Sequence, residues 1–440
     1  MMKKTEIDKT KSIWSSTTLL PAFPCLKTDM KTEVLIIGGG MAGILCAYML
    51  EQAGISYVLA EAETICSGIT KNTTAKITSQ HGLVYHKLVK RFGTEKASMY
   101  LHANQEAVQK YAALCAKIDC DYEEKDSFVY SFDNPQVIED ELAALSKLGF
   151  RAESTNQLPL PFSVAGAVRF ANQAQFNPLA FIAAISGGLN IYEHTMVKAL
   201  DGCKAQTEHG NILADKIIVA THFPFLNRHG SYFLKMYQHR SYVIALDSAP
   251  DVHGMYVDEA QTGLSFRNYH NLLLLGGGSH RTGKPGGNWE ELGRFAAQHY
   301  PDSAELCRWS TQDCMTLDDV PYIGQYSKHT PNLYVATGFN KWGMTSSMVS
   351  AMLLTDLVAG RENPDAPVFS PSRSILHPQL ALNALESAKN LLTISTPRCP
   401  HMGCALKWNK TERSWDCPCH GSRFDEDGEL IDNPATGGLK

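Results

Sequence analysis

Two stretches of this chain hold residues whose types and spacing could do chemistry. The first runs from Val34 to Glu61, VLIIGGGMAGILCAYMLEQAGISYVLAE. Its apolar start, Val34-Leu35-Ile36-Ile37, reads as a buried parallel strand. It leads straight into Gly38-Gly39-Gly40-Met41-Ala42-Gly43, a G-x-G-x-x-G turn. In such a turn Gly38 makes the tight bend, Gly40 lets the backbone approach a pyrophosphate, and Gly43 lets the following helix pack closely on the strand. The helix N-terminus offers free N–H groups and a positive dipole end to phosphates. Glu61 closes a second strand, Tyr57-Val58-Leu59-Ala60, where its carboxylate can accept hydrogen bonds from a ribose. The complete strand–turn–helix–strand–acid unit points to a bound dinucleotide. The second stretch lies near the C-terminus: Cys399-x-His401, then fifteen residues, then Cys417-x-x-His420, with Cys404 and Cys419 left over. Two cysteines and two histidines could hold zinc, although zinc ribbons favour C-x2-4-C pairs over C-x-H.

The elements that must position these groups fill a chain of 440 residues, enough for two or three domains. An apolar fraction of 44 % suits large packed cores, and 19 % charge excludes wholesale disorder. A net charge of −5 gives no reason to expect nucleic acid, and no polybasic run suggests a membrane surface. The N-terminal MMKKTEIDKTKSIW lacks the apolar core of a signal peptide. Val34 to Leu50 is too short for a membrane span and contains the glycine turn, so no transmembrane segment is expected. Eight of the twelve cysteines are scattered from Cys25 to Cys314 without pattern, which fits the reduced thiols of a cytoplasmic protein.

Residues 1–31 read as an irregular leader. Residues 66–82 form a polar, threonine-rich loop, 83–120 a helix, 128–132 a strand and 135–148 another helix. Strand-rich sections follow over 190–220 and 241–278. Leu333-Tyr334-Val335-Ala336-Thr337 is a strand, Gly338 to Gly343 a turn, and Met344 to Val358 a helix. The Gly360 to Pro367 punctuation then marks a domain boundary.

This arrangement resembles the D-amino-acid-oxidase-like family of FAD-dependent oxidoreductases. The resemblance covers residues 12–365 and rests on the glycine turn with Glu61, on Val219-Ala220-Thr221-His222, on Val320-Pro321-Tyr322-Ile323-Gly324 and on YVATGFNKWGMT from Tyr334 to Thr345. It implies an α/β Rossmann-type FAD domain over 32–90, 166–230 and 310–365. A mixed-sheet α+β substrate domain, over 91–165 and 231–309, would be interleaved with it. It further implies that Thr73-Thr74-Ala75 lies along the flavin, that Val197 meets the adenine side, that Ala220, Thr221 and Gly338 border the cofactor, and that Gly343-Met344-Thr345 sets a helix start at the flavin's pyrimidine edge. A helix N-terminus there would stabilise the negative charge of a reduced flavin.

The C-terminal stretch resembles the Rieske pattern, in which two cysteines hold one iron of a [2Fe–2S] cluster and two histidines the other. That resemblance makes Cys399, His401, Cys417 and His420 the metal ligands and Cys404–Cys419 a disulfide between the two cluster loops. Such a bond would be worth about 3 kcal/mol in the chain-entropy model. A small all-β Rieske domain over 373–440 follows as the expectation. It departs from the pattern in two ways. Phe424 stands where high-potential relatives carry a tyrosine that bonds a ligand sulfur. Residues 380–392, LALNALESAKNLL, read as helix and leave little room for the strands that usually precede the first cluster loop, so a truncated sheet is expected.

The expected machine oxidises a small-molecule substrate, at a C–N bond as in the family, and sends electrons through the cluster to an acceptor the sequence does not name. Relatives acting on amino acids hold the carboxylate with an arginine about a dozen residues before the PYIG segment. Gln312 and Asp313 stand there and cannot supply its fork of donors. Arg267, Lys341 and Trp342 are the remaining candidates for the substrate. Cys314 lies near where some amine oxidases bond their flavin, and His81, His222 and His280 have no assigned role. Two other readings are an electron-transfer reductase serving a redox carrier, for which no second glycine fingerprint is visible, and a flavoenzyme with a structural metal module.

Overall fold

Three sheets organise the chain, whose computed structural model describes residues 7–260, 263–394 and 397–439. At the centre of the first sheet runs the strand Met30–Ile37, whose last four residues are buried. It pairs in parallel with Tyr57–Ala60 on one side and Asn211–Val219 on the other. Ile191–Tyr192 and Leu333–Thr337 extend the sheet in parallel, and Tyr322–Gln325 closes it as an antiparallel edge. The helix Met41–Gln52 returns the chain from the first strand to the second and packs against the helix Gly343–Val358. Because the neighbours of the central strand are reached in opposite directions, a crevice opens at its carboxyl end, where the glycine turn sits.

The second sheet has nine strands, all antiparallel except for one pair, Met255–Asp258 with Glu123–Ser131. One end of it is built from Ala304–Thr316, Met236–Asp247 and Leu272–Arg281, in that order. Lys76–Ile77 and Gly166–Gln175 also bond into this sheet. These two strands and the stretch up to Thr316 therefore leave the segments 32–90, 166–230 and 310–365 in which they were expected. Alternation along a strand tells which face is buried and not which sheet it joins.

Other local expectations shift for visible reasons. The helix read over 83–120 spans Tyr85–Cys115 and breaks at Gly93, whose φ of 80° and ψ of 170° are not helical. The leader is not wholly irregular. Ser12 caps a short helix, Ile13–Thr17, and the fully buried Trp14 donates its indole N–H to Thr73 O at 2.7 Å. Residues 1–6 of the expected leader lie outside the described residues.

The third sheet is small and antiparallel: Lys407–Asn409, Ser414–Asp416, Arg423–Phe424 and Leu430–Asp432. The helix Pro378–Leu392 connects it to the rest of the chain. Pro378 suits the first helical turn, and His377 Nδ1 accepts the Gln379 N–H.

Candidate functional site

A cavity of 710 Å³ runs from the glycine turn to the end of the second sheet, a size typical of sites that bury a cofactor with its substrate. Gly38, Gly40, Met41 and Ala42 line it at the helix N-terminus, and Glu61 lies opposite. The turn has no room for side chains. A Cβ on Gly43 would lie 1.9 Å from Gly38 O, and one on Gly38, at φ 108°, would lie 2.7 Å from Ala220 O. Gly39 donates its N–H to Glu61 Oε2 at 2.6 Å, which locks the acid beside the turn. Burial raises the Glu61 carboxyl, and backbone N–H bonds from Glu63 and Gly39 oppose the rise. One helix N–H, that of Met41, is already taken by Thr70 Oγ1 at 3.0 Å. Thr73, Thr74, Val197, Ala220 and Thr221 continue the wall. These residues fit a dinucleotide: the cradle is one a Cβ would fill, and the acid is fixed by it.

At the far end Lys341, Trp342, Gly343 and Met344 line the cavity, while Gly338 and Thr345 do not. Thr345 Oγ1 donates to Thr78 O at 3.0 Å. His81 also reaches Thr78 O, through Nε2 at 2.8 Å, so that nitrogen carries the proton and Nδ1 accepts from Tyr100 Oη at 2.6 Å. Burial pushes this imidazole down to about 3. Its neutral ring stacks on Trp342 at 5.1 Å and 15°. Lys341 donates to Ser279 Oγ at 2.6 Å, and burial lowers it against the pull of Asp313. Asp313 lines the same end, and burial pushes it up to about 6 against Lys341 and Arg240.

Arg267 is a correction. It is fully buried, and its guanidinium donates to Thr74 O, Ala75 O and Asn268 O, over the Trp14 ring. It braces the Thr73–Ala75 loop from behind and does not line the cavity. Lys76, which sequence reasoning passed over, does line it. Its ammonium is lowered to about 7 by burial, then by Arg267, and donates to Thr74 Oγ1 at 3.1 Å. His222 and Cys314 border the cavity, and His280 stacks on Tyr242.

The two C-terminal loops mirror each other. Gly403 N–H donates to Cys399 O at 2.8 Å and Gly421 N–H to Cys417 O at 2.9 Å, each glycine at positive φ. Cys399, Cys417 and His420 are buried together, and the rings of His401 and His420 lie 5.0 Å apart. His401 Nε2 is held by Asn227 Oδ1 at 3.0 Å, and its Nδ1 is buried with no hydrogen-bond partner. Both His420 nitrogens are buried without a partner as well. Orphaned imidazole nitrogens beside buried thiols fit a metal cluster. Ser422 hydrogen-bonds the Cys399 sulfur, and Phe424 is fully buried against the cysteines. Cys404 and Cys419, the pair expected as a disulfide, are buried beside Cys417, and the three sulfurs lie within 4.8 Å of one another. One packed group of three sulfurs leaves the pairing undecided by proximity.

The second loop is seated on the three strands that end the second sheet. Gln238 donates to His420 O, Gln312 to Gly421 O, each at 2.8 Å, and Arg281 to Pro418 O at 3.2 Å. A buried ion network adjoins this seat. Arg240 (2 % exposed) and Arg423 both bond Glu412 (6 % exposed), and Arg423 continues to Asp416 and Asp432. From the C-terminal module, Leu430 to Asn433 wall the cavity itself, and Asn433 donates to Thr221 O and Phe223 O.

Residues 33–357 match the FAD dependent oxidoreductase family. The chain belongs to this family. Residues 373–440 match the Rieske [2Fe-2S] domain, so the oxidoreductase takes FAD and a [2Fe–2S] cluster. It is 36 % identical, over 97 % of its length and 96 % of the relative's, to a Bacillus subtilis protein named as a Rieske 2Fe-2S iron-sulfur protein. Over 8 % of the chain it is 49 % identical to the cytochrome b6-f complex iron-sulfur subunit of Nostoc punctiforme, covering 21 % of that subunit. Among solved structures it shares its fold with L-proline dehydrogenase from P. horikoshii (TM-score 0.65, 16 % identity, 78 % of this chain and 98 % of that one). Glycine oxidase from Geobacillus kaustophilus is similar at TM-score 0.64 and 20 % identity, over 78 % of this chain and 99 % of that one. No helix among the described residues is long and apolar enough to cross a membrane.

Proposed function

We propose that this oxidoreductase oxidises a small amine at a C–N bond and passes the electrons, one at a time, to its own iron–sulfur cluster. The observation that supports this most is the shared septum. The strands Met236–Asp247, Leu272–Arg281 and Ala304–Thr316 carry Ser241, Ser279, Thr311 and Asp313 toward the cavity, and Gln238, Arg281 and Gln312 toward the second cluster loop. The C–N bond is suggested by the names of the structural neighbours, a proline dehydrogenase and a glycine oxidase.

FAD, when bound, supplies two-electron acceptance with one-electron return, and the Rieske cluster supplies a one-electron centre of raised potential. The chain's own residues do the rest. The glycine turn and Glu61 hold the dinucleotide, and the helix start at Gly343 places positive dipole against developing negative charge. Asp313 and Lys341 orient the polar head of the substrate, and the Leu430–Asn433 wall keeps water out. Cys399, His401, Cys417 and His420 hold the cluster, while Gln238, Gln312 and Arg281 fix its second loop. A cytoplasmic location, read from the unpatterned cysteines, belongs to the same proposal.

Anaerobic mixing of the whole protein with a panel of primary and secondary amines tests it. Flavin bleaching followed by the EPR signal of a reduced cluster is the expected result. A flavin reduced by substrate beside a cluster that stays oxidised would end the relay reading.

A further inference from the structure

The helix Pro378–Leu392 is built inside out. Its asparagines and its one glutamate face the protein. Asn383 and Asn390 are its buried side chains, Asn383 donates to Leu234 O and accepts from Arg281, and Glu386 pairs with Lys284 at 2.6 Å. Its apolar residues face outward: Leu382 is 56 % exposed, Leu385 67 % and Leu392 81 %, and Ile394 just beyond is 99 % exposed. Ala381, Ala384, Leu385, Ala388, Leu391 and Leu392 recur at the i, i+3, i+4, i+7 spacing of a buried stripe, yet all six are exposed. An apolar stripe turned outward along a whole helix, with the asparagines and the glutamate turned in, makes this face a candidate for contact with a partner.

Its position ties it to the cluster. Ala405 N–H donates to Asn390 O at 3.0 Å, and Arg398 caps Leu391 O and Thr393 O, so the helix end abuts the first cluster loop. On that loop Met402 is exposed beside the half-buried ligand His401. The rim is basic: Lys389, Lys407 and Arg228, which follows the Asn227 that holds His401, are exposed. Across residues 378–392, 397–407 and 225–231 the one carboxylate is Glu386, which is spent inward on Lys284.

Size selects the kind of partner. Fifteen helical residues give a face about 22 Å long and about 10 Å wide, on the order of 200 Å². Even with the flanking loops and a matching partner surface the total stays below about 1,200 Å², too little for a stable dimer and in the range of transient redox encounters. A basic rim around it calls for an acidic partner and speeds the encounter.

We propose that this face, with Met402 and its basic rim, is the docking surface of a small acidic electron-carrier protein. The carrier takes one electron from the reduced cluster, whose ferrous iron returns to ferric as the carrier's metal gains that electron, and no proton need move. The proposal rests on the relay reading, and its test is arranged to stand apart from it. The cluster of the whole protein is reduced with dithionite, freed of excess reductant, and mixed in a stopped-flow cell with an acidic blue-copper protein, a basic c-type cytochrome or ferricyanide. The expected result is a rate with the acidic carrier that falls with ionic strength. That rate drops tenfold or more in the Leu382→Ser/Leu385→Ser variant and again in Lys407→Glu, while ferricyanide reacts equally with all. Rates unchanged in both variants, or a preference for the basic cytochrome, would overturn it. So would a dimer in sedimentation velocity, or binding to anionic phosphatidylserine vesicles, that the double leucine variant abolishes. Because the cluster is reduced chemically, a flavin that fails to reduce it leaves this test intact.

Discussion

Gln312 donates its side-chain amide to the carbonyl of Gly421 at 2.8 Å, across the seam between the second sheet and the cluster loop. The next residue, Asp313, points the other way and lines the cavity. The two-residue period of a strand thus presents one segment to both redox sites. Gln312→Leu removes the donor and leaves Gly421 O and the Thr282 hydroxyl, which Gln312 also accepts at 3.0 Å, without partners. A loss of about 1–3 kcal/mol at this seat is expected. In stopped-flow work flavin reduction by substrate should keep its rate while cluster reduction slows. Equal cluster kinetics in variant and parent would show that the contact plays no part in the transfer.

Glu412 lies between two buried arginines. Burial alone would raise its carboxyl, but Arg240 and Arg423 outweigh that and hold it down at about 2, below the ordinary 4.5. A depressed carboxylate contributes stability above its unfolded pKa and loses it as pH falls through the folded one. The docked module should therefore weaken between about pH 4.5 and 2. Glu412→Gln should cost about 3–5 kcal/mol at pH 7, because it takes the close carboxylate from the buried Arg240 and one of three from Arg423. Urea titration followed by cluster absorbance checks both, and a variant as stable as the parent at pH 7 would refute the account.

The glycine turn and the two cluster loops were legible because each needs fixed residue types at fixed spacing. The inverted helix was legible only in part. Its periodicity in residues 380–392 announces a helix, but nothing in the pattern says that Asn383 and Asn390 face inward. That depends on carbonyls and charges, Leu234 O and Lys284 among them, brought from elsewhere in the chain. Arg267 misled for a similar reason: a strand arginine reads as solvated or substrate-facing, and its actual partners are backbone carbonyls of a loop about two hundred residues away. Asp313 was dismissed because it could not replace an arginine, although it lines the cavity, where under the proposed amine oxidation it would face the substrate's ammonium.

Phe424 is fully buried against the cysteine sulfurs, and Ser422 already bonds Cys399. A reduced cluster carries one more negative charge, so a further O–H donor favours reduction. Phe424→Tyr should raise the midpoint potential by on the order of 60 mV, the equivalent of one hydrogen bond of about 1.4 kcal/mol. An EPR-monitored redox titration that finds no rise would place the new hydroxyl out of reach of the sulfurs.

Gly43 has no space for a methyl group, since its Cβ would lie 1.9 Å from Gly38 O. Gly43→Ala must push the helix off the turn, and purified protein should carry little flavin. Gly293→Ala serves as the control: that helical glycine meets nothing within 4 Å, and alanine there should retain flavin and add about 0.5–1 kcal/mol. The flavin-to-protein ratio decides, and full flavin content in Gly43→Ala would contradict the cradle.

Asp313 carries the last prediction. Burial pushes its carboxyl up to about 6, while Lys341 and Arg240 pull it down, and His239 faces it on the neighbouring strand. A carboxyl whose folded pKa exceeds its unfolded 3.8 costs the folded state stability as pH rises from about 3.8 to 6. Asp313→Asn should therefore be more stable than the parent at pH 7 by thermal melting. If the charge holds the ammonium of an amine substrate, kcat/KM for that amine should rise through about pH 6 in the parent and lose this rise in the variant, with the loss mainly in KM. A variant that gains stability yet keeps the parent's pH profile would leave the carboxylate a buried cost without a substrate.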